Sequence, residues 1–168
     1  MLLVLQTVSA RPQHTPLPPG TPEEEVLENE ISEMLGAWQI GDLTLLKSYY
    51  ADDVMVVSGN WEPALIGWPK YMQAYMRQRE RMTNVRLDRL NSYIRVQGNV
   101  AWATYQWDFS ARVDGPITHA RGQMSLIFQK REGHWLIVLN HTSLVGEAQT
   151  ETPRQPSPAQ PPPLRPAS

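Results

Sequence analysis

From Thr21 onward the chain reads with a helical period. Leu27, Ile31, Met34, Leu35 and Trp38 fall on one face of an α-helix, with polar positions between them on the other. Thr21-Pro22-Glu23-Glu24 supplies a capping box, a proline at the first helical position and acidic side chains at the positive end of the helix dipole, and Gly41 is placed to stop the helix. Asp42 caps a second, shorter helix with Leu43, Leu46 and Tyr50 on one side. Val54-Met55-Val56-Val57 predicts a short strand, left through the loop Ser58-Gly59-Asn60. Pro69 opens a third helix, which the spacing of Met72, Tyr75, Met76 and Arg79 carries to about Met82.

Beyond Val85 the period drops to two. Extended segments over 84–97, 100–112, 117–130 and 134–144 are separated by Gly98-Asn99, Asp114-Gly115-Pro116 and Glu132-Gly133, all turn-forming groups. Long strands joined by short turns make an antiparallel meander, so the expected fold class is α+β, with three helices covering one face of a mainly antiparallel sheet.

The ends read differently. Residues 1–20 are an apolar start followed by a proline-rich linker, and 147–168 read as a disordered proline-rich tail; neither can bury enough surface to offset ordering entropy. The folded domain is expected over 21–146. Met1 to Ala10 ends in small residues that resemble a signal-peptidase site but lacks a basic start. A truncated signal peptide would place the protein in the periplasm or outside the cell, and a frayed terminus would leave it in the cytoplasm. A run of about eight apolar residues is too short to cross a bilayer, which takes about 20, so no membrane span is expected.

Charge and composition remove several functions. A net charge of -2 and a pI near 6.1 give no basic field for a nucleic-acid backbone, so no nucleic-acid partner is expected. With no cysteine there is no thiolate metal site or cysteine nucleophile. His14, His119, His134 and His141 lack ligand spacing, so neither a metal nor a cofactor is expected. Arg77, Arg79, Arg81, Arg86 and Arg89 read as a solvated helix face and its exit, with a site for an acidic ligand as the other reading. Asp52 and Asp53, neighbours in an extended segment, point to opposite sides and brace a turn.

The element order, with Gly41-Asp42, Tyr50-Ala51-Asp52-Asp53, Gly67, Val100-Ala101-Trp102, Arg121-Gly122 and the closing Gly133-His134-Trp135-Leu136-Ile137-Val138 and His141-Thr142-Ser143, resembles the nuclear transport factor 2-like superfamily, in particular its SnoaL-like bacterial branch. The resemblance spans about 125 residues, a length that removes about two thirds of its unfolded surface from water. It implies a cone: helices close one side of a curved sheet around a pocket, and two cones pair through their sheets. The superfamily holds isomerases, dehydratases and cyclases beside non-enzymatic members, so fold alone does not select a function. Ketosteroid isomerase works with an Asp base and with a Tyr and a protonated Asp as oxyanion donors. The matching positions here are Ser58, Met34 and a place near Met124, which cannot perform that chemistry.

The same resemblance implies that even-numbered residues point into the pocket: Met124, Leu126 and Phe128, then Val138, Asn140 and Thr142, and on the preceding strand Trp102, Thr104, Gln106 and Asp108. Ala101, Ala103, Tyr105, Trp107 and Phe109 would then face outward and need a two-fold partner as cover. A single bulge would exchange the faces. Asp108 and His141 are the acid/base candidates. Trp38, Tyr50, Trp61, Trp68 and Tyr75 are aromatic candidates for the mouth of the cone, and with Gln106, Met124, Leu126, Phe128 and Asn140 they complete the expected ligand-binding set. The leading expectation is a protein that binds a small apolar or aromatic molecule and forms a homodimer through the sheet face. The alternatives are a lyase, isomerase or cyclase using acid/base groups in the pocket, and a dimeric protein-interaction module.

Overall fold

In the computed structural model, which describes residues 20–59, 62–146 and 149–151, helix α1 (Pro22–Ile40) begins where the capping box places it. Glu24 N donates to Thr21 Oγ1 at 3.3 Å and Thr21 N to Glu24 Oε2 at 2.8 Å, while Gly41 closes the helix at φ 83°. Asp42 caps α2 (Leu43–Ser48) through Leu45 N. Tyr50, read as part of the apolar side of α2, is instead the first residue of β1 (Tyr50–Val57). A two-residue strand, β2 (Leu65–Ile66), precedes α3 (Trp68–Arg79). That helix ends three residues before Met82, because Met82 already pairs with Val113 in the sheet.

The meander is β3 (Met82–Gln97), β4 (Val100–Val113), β5 (Ile117–Arg131) and β6 (His134–Leu144). Glu132 and Gly133 both have positive φ in the turn joining β5 to β6, the conformation a two-residue hairpin with right-handed strand twist requires. A further strand, β7 (Gln149–Glu151), lies within the segment read as tail and pairs with Ile117–His119 of β5. The sheet order is β2-β1-β6-β5-β4-β3, and all neighbours are antiparallel except β1 and β6, which run parallel.

Irregularities curve this sheet around the helices. β3 shifts register between Thr83 and Arg86 and again between Leu90 and Tyr93, with Asn84 and Asn91 at positive φ in the two gaps. Each extra residue bends the strand and exchanges which parity faces inward. Leu87 and Arg89 therefore lie on the inner face, and beyond Asn91 Ile94 and Val96 do. The core fills the closed part of the cone with Leu27, Ile31 and Leu35 of α1, Leu46, Val54, Ala101, Ala103, Leu126, Phe128, Trp135 and Ile137, all buried.

The register corrects the expected facing of β4. Tyr105 pairs directly with Met124, and opposite residues in an antiparallel pair share a face. With Met124 inward, the odd positions of β4 are inward too. Ala101, Ala103 and Tyr105 are buried, while Trp102, Thr104 and Gln106 are exposed on the far side. On β6, a shift between Ile127 and Phe128 puts Ile137, rather than Val138, opposite Phe128 and into the core.

Candidate functional site

Between α1, α3 and the inner sheet face lies a cavity of about 410 Å³. Helix α1 contributes Met34, Leu35 and Trp38, and α3 contributes Tyr71, Ala74, Tyr75 and Gln78. The sheet contributes Tyr50, Val56, Leu87, Tyr105, Trp107, Phe109, Met124, Asn140 and Thr142, and Ser58, Glu62 and Leu65 lie along the segment between β1 and α3. This size lies within the range of small-molecule pockets, and the aromatic walls suit a flat apolar guest.

One polar network stiffens the wall. Asn140 Nδ2 donates to Tyr50 Oη at 2.9 Å, Tyr71 shares a hydrogen bond with the same hydroxyl, and Tyr50 donates to Met34 Sδ at 3.8 Å. The Tyr50 and Tyr71 rings meet at 5.1 Å between centroids, tilted by 40°, and Trp68 packs against both from behind. Tyr75 donates to the Trp38 carbonyl at 2.6 Å, and Trp38 meets Tyr75 and Phe109 edge-on. Burial pushes the Tyr50, Tyr71, Tyr75 and Tyr105 phenols above their ordinary pKa, so all four are neutral at physiological pH.

Trp107 lies against Gly122 of β5, where a Cβ would overlap both the indole ring and the Ser143 carbonyl oxygen. A glycine is therefore required for space, and it lets the indole lie across β5 as part of the wall. Arg89 sits deeper, between α1 and the sheet, paired with Glu28 at 2.7 Å and Ser32 at 2.8 Å, its guanidinium 5.9 Å from the centre of the Tyr105 ring.

Of the expected ligand-binding residues, Trp38, Tyr50, Tyr75, Met124 and Asn140 line the cavity. Trp61 lies outside the described residues. Trp68 is buried behind Tyr50 and Tyr71, and Leu126 and Phe128 are packed into the core. Gln106 is on the opposite face, accepting from Asn91 Nδ2 at 2.6 Å. Asp108 and His141 are on that face as well: Asp108 receives a 2.8 Å hydrogen bond from Arg121 across the strands, and His141 is exposed beside Ser125. Both thus lie on the face away from the cavity. Asp52 and Asp53 brace the sheet edge through Lys47 and Arg131. Arg79, Arg81, Arg86 and Arg89 are each held by backbone carbonyls or carboxylates, and neither they nor Arg77 line the cavity.

Tyr71, Tyr105, Trp107 and Phe109 were missed as lining residues. Tyr71 lies a turn before Tyr75 on α3, a spacing that could have identified it. The other three follow from the strand register, which composition does not reveal. Ser58, Met34 and Met124 do reach the wall, at the places where the resemblance puts an isomerase's reacting groups.

Residues 27–147 match the model of the SnoaL-like domain. The chain belongs to the SnoaL-like family, within the nuclear transport factor 2-like superfamily. Similar folds are found in a protein of Novosphingobium aromaticivorans provisionally named an aromatic ring hydroxylase, at TM-score 0.71 and 11% identity over 79% of this chain and 96% of that one. A nuclear transport factor 2-like superfamily protein of Salmonella enterica serovar Typhimurium aligns at TM-score 0.67 and 22% identity over 74% and 92%. A ketosteroid isomerase-like protein of Erwinia carotovora atroseptica aligns at TM-score 0.66 and 18% identity over 76% and 100%. At these identities the SnoaL-like chain shares their fold, and no curated protein matches it in sequence. Among the described residues no helix is long and apolar enough to cross a membrane, and no three His, Cys, Asp or Glu cluster as metal ligands.

Proposed function

We propose that this SnoaL-like protein binds a small apolar or aromatic molecule in the cavity between α1, α3 and the sheet. The observation that carries the reading is the make-up of the wall. It is aromatic and thioether-rich, and its tyrosines are neutral. Among its described residues the only charged one is Glu62, an exposed side chain in the connecting segment. General acid/base catalysis calls for a group that exchanges protons near neutral pH at the reacting atoms. Asp108 and His141 stand on the other side of the sheet, so this wall favours holding a ligand over transforming it.

Native mass spectrometry of the protein purified from its own host, together with titration of fluorene followed by tryptophan fluorescence, tests the reading. Retained small-molecule mass, or saturable quenching that a cavity-filling Met124→Trp substitution removes, supports it. Bare protein with no saturable response counts against it.

The outer sheet face supports pairing of two copies. Trp102, Ile127, Leu139, Met55 and Ile66 are successive cross-strand partners, forming one apolar row over five strands. Four of them are exposed. A two-fold contact covers such a row with its own copy.

A further inference from the structure

The cavity wall holds two hydrogen-bond donors with no acceptor. Tyr105 is 2% exposed, and its Oη has no partner among the described residues; the same is true of Trp107 Nε1. Both side chains line the cavity, two positions apart on β4 and so on one face. A buried polar group left unpaired is destabilising, and folds avoid it. Elsewhere on this wall it is avoided, since Tyr50, Tyr71, Tyr75 and Asn140 are all bonded. Two neighbouring exceptions against one cavity fit a site whose ligand completes them.

Their chemistry restricts that ligand. An indole N–H only donates, so Trp107 requires an acceptor. Tyr105 could do either; burial, outweighing the opposing effect of the nearby Arg89 guanidinium, keeps its phenol protonated, so an acceptor that takes the Trp107 N–H can take the Tyr105 hydroxyl as a second donor. Arg89 is neutralised by Glu28 and held by Ser32; its Nη1 is buried without a partner among the described residues, but the residue does not line the cavity. With no cation among the described lining residues, a carboxylate would lose its hydration without gaining a counter-charge.

We infer that the cavity takes an uncharged, flat, largely apolar molecule bearing a carbonyl-type acceptor, which Tyr105 Oη and Trp107 Nε1 hold. The inference rests on the small-molecule reading above and adds the polar end of the site. Both donors are closed to solvent, so the acceptor reaches them as neighbouring side chains move. Met124, directly across from Tyr105, and Met34 are unbranched and adaptable enough to give way.

The test titrates fluorenone, fluorene and fluorene carboxylate into the full-length protein, reading tryptophan fluorescence and the infrared carbonyl stretch of bound fluorenone. Fluorenone should bind about tenfold tighter than fluorene and than the carboxylate, with its stretch moved to lower wavenumber. Tyr105→Phe should weaken fluorenone about tenfold more than it weakens fluorene and remove most of that movement. Because it deletes an unpaired hydroxyl, the same substitution should raise Tm in the unliganded protein; unfolding would show that the hydroxyl has a structural partner and would overturn the inference. Trp107→Phe gives an independent second reading of the same preference. Equal binding of fluorene and fluorenone, or tightest binding of the carboxylate, overturns the polar end and leaves the cavity reading intact. Failure of all three to bind overturns both.

Discussion

Asn140 Nδ2 reaches Tyr50 Oη at 2.9 Å, joining β6 to the start of β1 through two buried side chains. Tyr71 shares the same hydroxyl, so one oxygen serves as acceptor for neighbours on a strand and on a helix. Tyr50→Phe leaves the Asn140 amide and the Tyr71 hydroxyl without that acceptor. The expected cost is about 2 kcal/mol in urea unfolding, because stranding a buried donor costs more than the bond itself contributed. Adding Asn140→Leu should recover part of the loss, and a neutral single variant would show that the three groups do not act together.

Gly122→Ala tests the seat of Trp107. The added methyl meets the indole on one side and the Ser143 carbonyl oxygen on the other, and backbone cannot step aside as a side chain can. A loss of about 3 kcal/mol is expected. It should come with a changed near-ultraviolet circular dichroism signal; an unchanged spectrum and stability would place the indole elsewhere.

The apolar row on the outer face predicts the effect of Trp102→Glu. A charge at one end of it, opposite Ile127, should turn a dimer into a monomer in sedimentation velocity while leaving fluorene binding intact. Wild-type protein that is monomeric at tens of micromolar would remove the two-fold reading.

Glu30 offers a pH dependence with a definite sign. Burial, followed by the nearby Glu33 carboxylate, raises its pKa, and one of its oxygens is buried without a partner among the described residues. A carboxyl whose folded pKa is raised destabilises the fold above that pKa, and the effect disappears below its unfolded value, where both states are protonated. Glu30→Gln should therefore stabilise at pH 7 by a few tenths of a kcal/mol, allowing for solvent screening of a half-buried group. The gain should vanish as pH falls below the ordinary carboxylate range. A gain independent of pH would point to packing instead of charge.

Local patterns announced the helices and the meander well, because each rests on neighbours in sequence: Thr21 with Glu24, the apolar face from Leu27 to Trp38, the turn at Glu132-Gly133. What they could not carry was register. Whether Tyr105 or Gln106 faces the cavity depends on which residue of β5 stands opposite, and Ile137 replaces Val138 inside through a single shift beside Phe128. The acid/base candidates followed residue type alone, and Asp108 went to an Arg121 pair on the far face. Trp38 and Tyr75 do reach the cavity wall, since they sit on helices whose period fixes their direction.

The parallel seam between β1 and β6 has a consequence for how the chain reaches this structure. Tyr50 and Asn140 are 90 residues apart, with α3 and the strands β3 to β5 between them. Closing so long a loop is entropically costly, so the seam forms late, after the local hairpins of β3 to β6 have paired. During synthesis, α1, α2 and β1 leave the ribosome with their apolar faces unsupported and wait for the closing strand. The wall that would hold a ligand is thus among the last parts of the domain to come together, and a chain interrupted before Asn140 would carry most of the cavity's residues without a cavity.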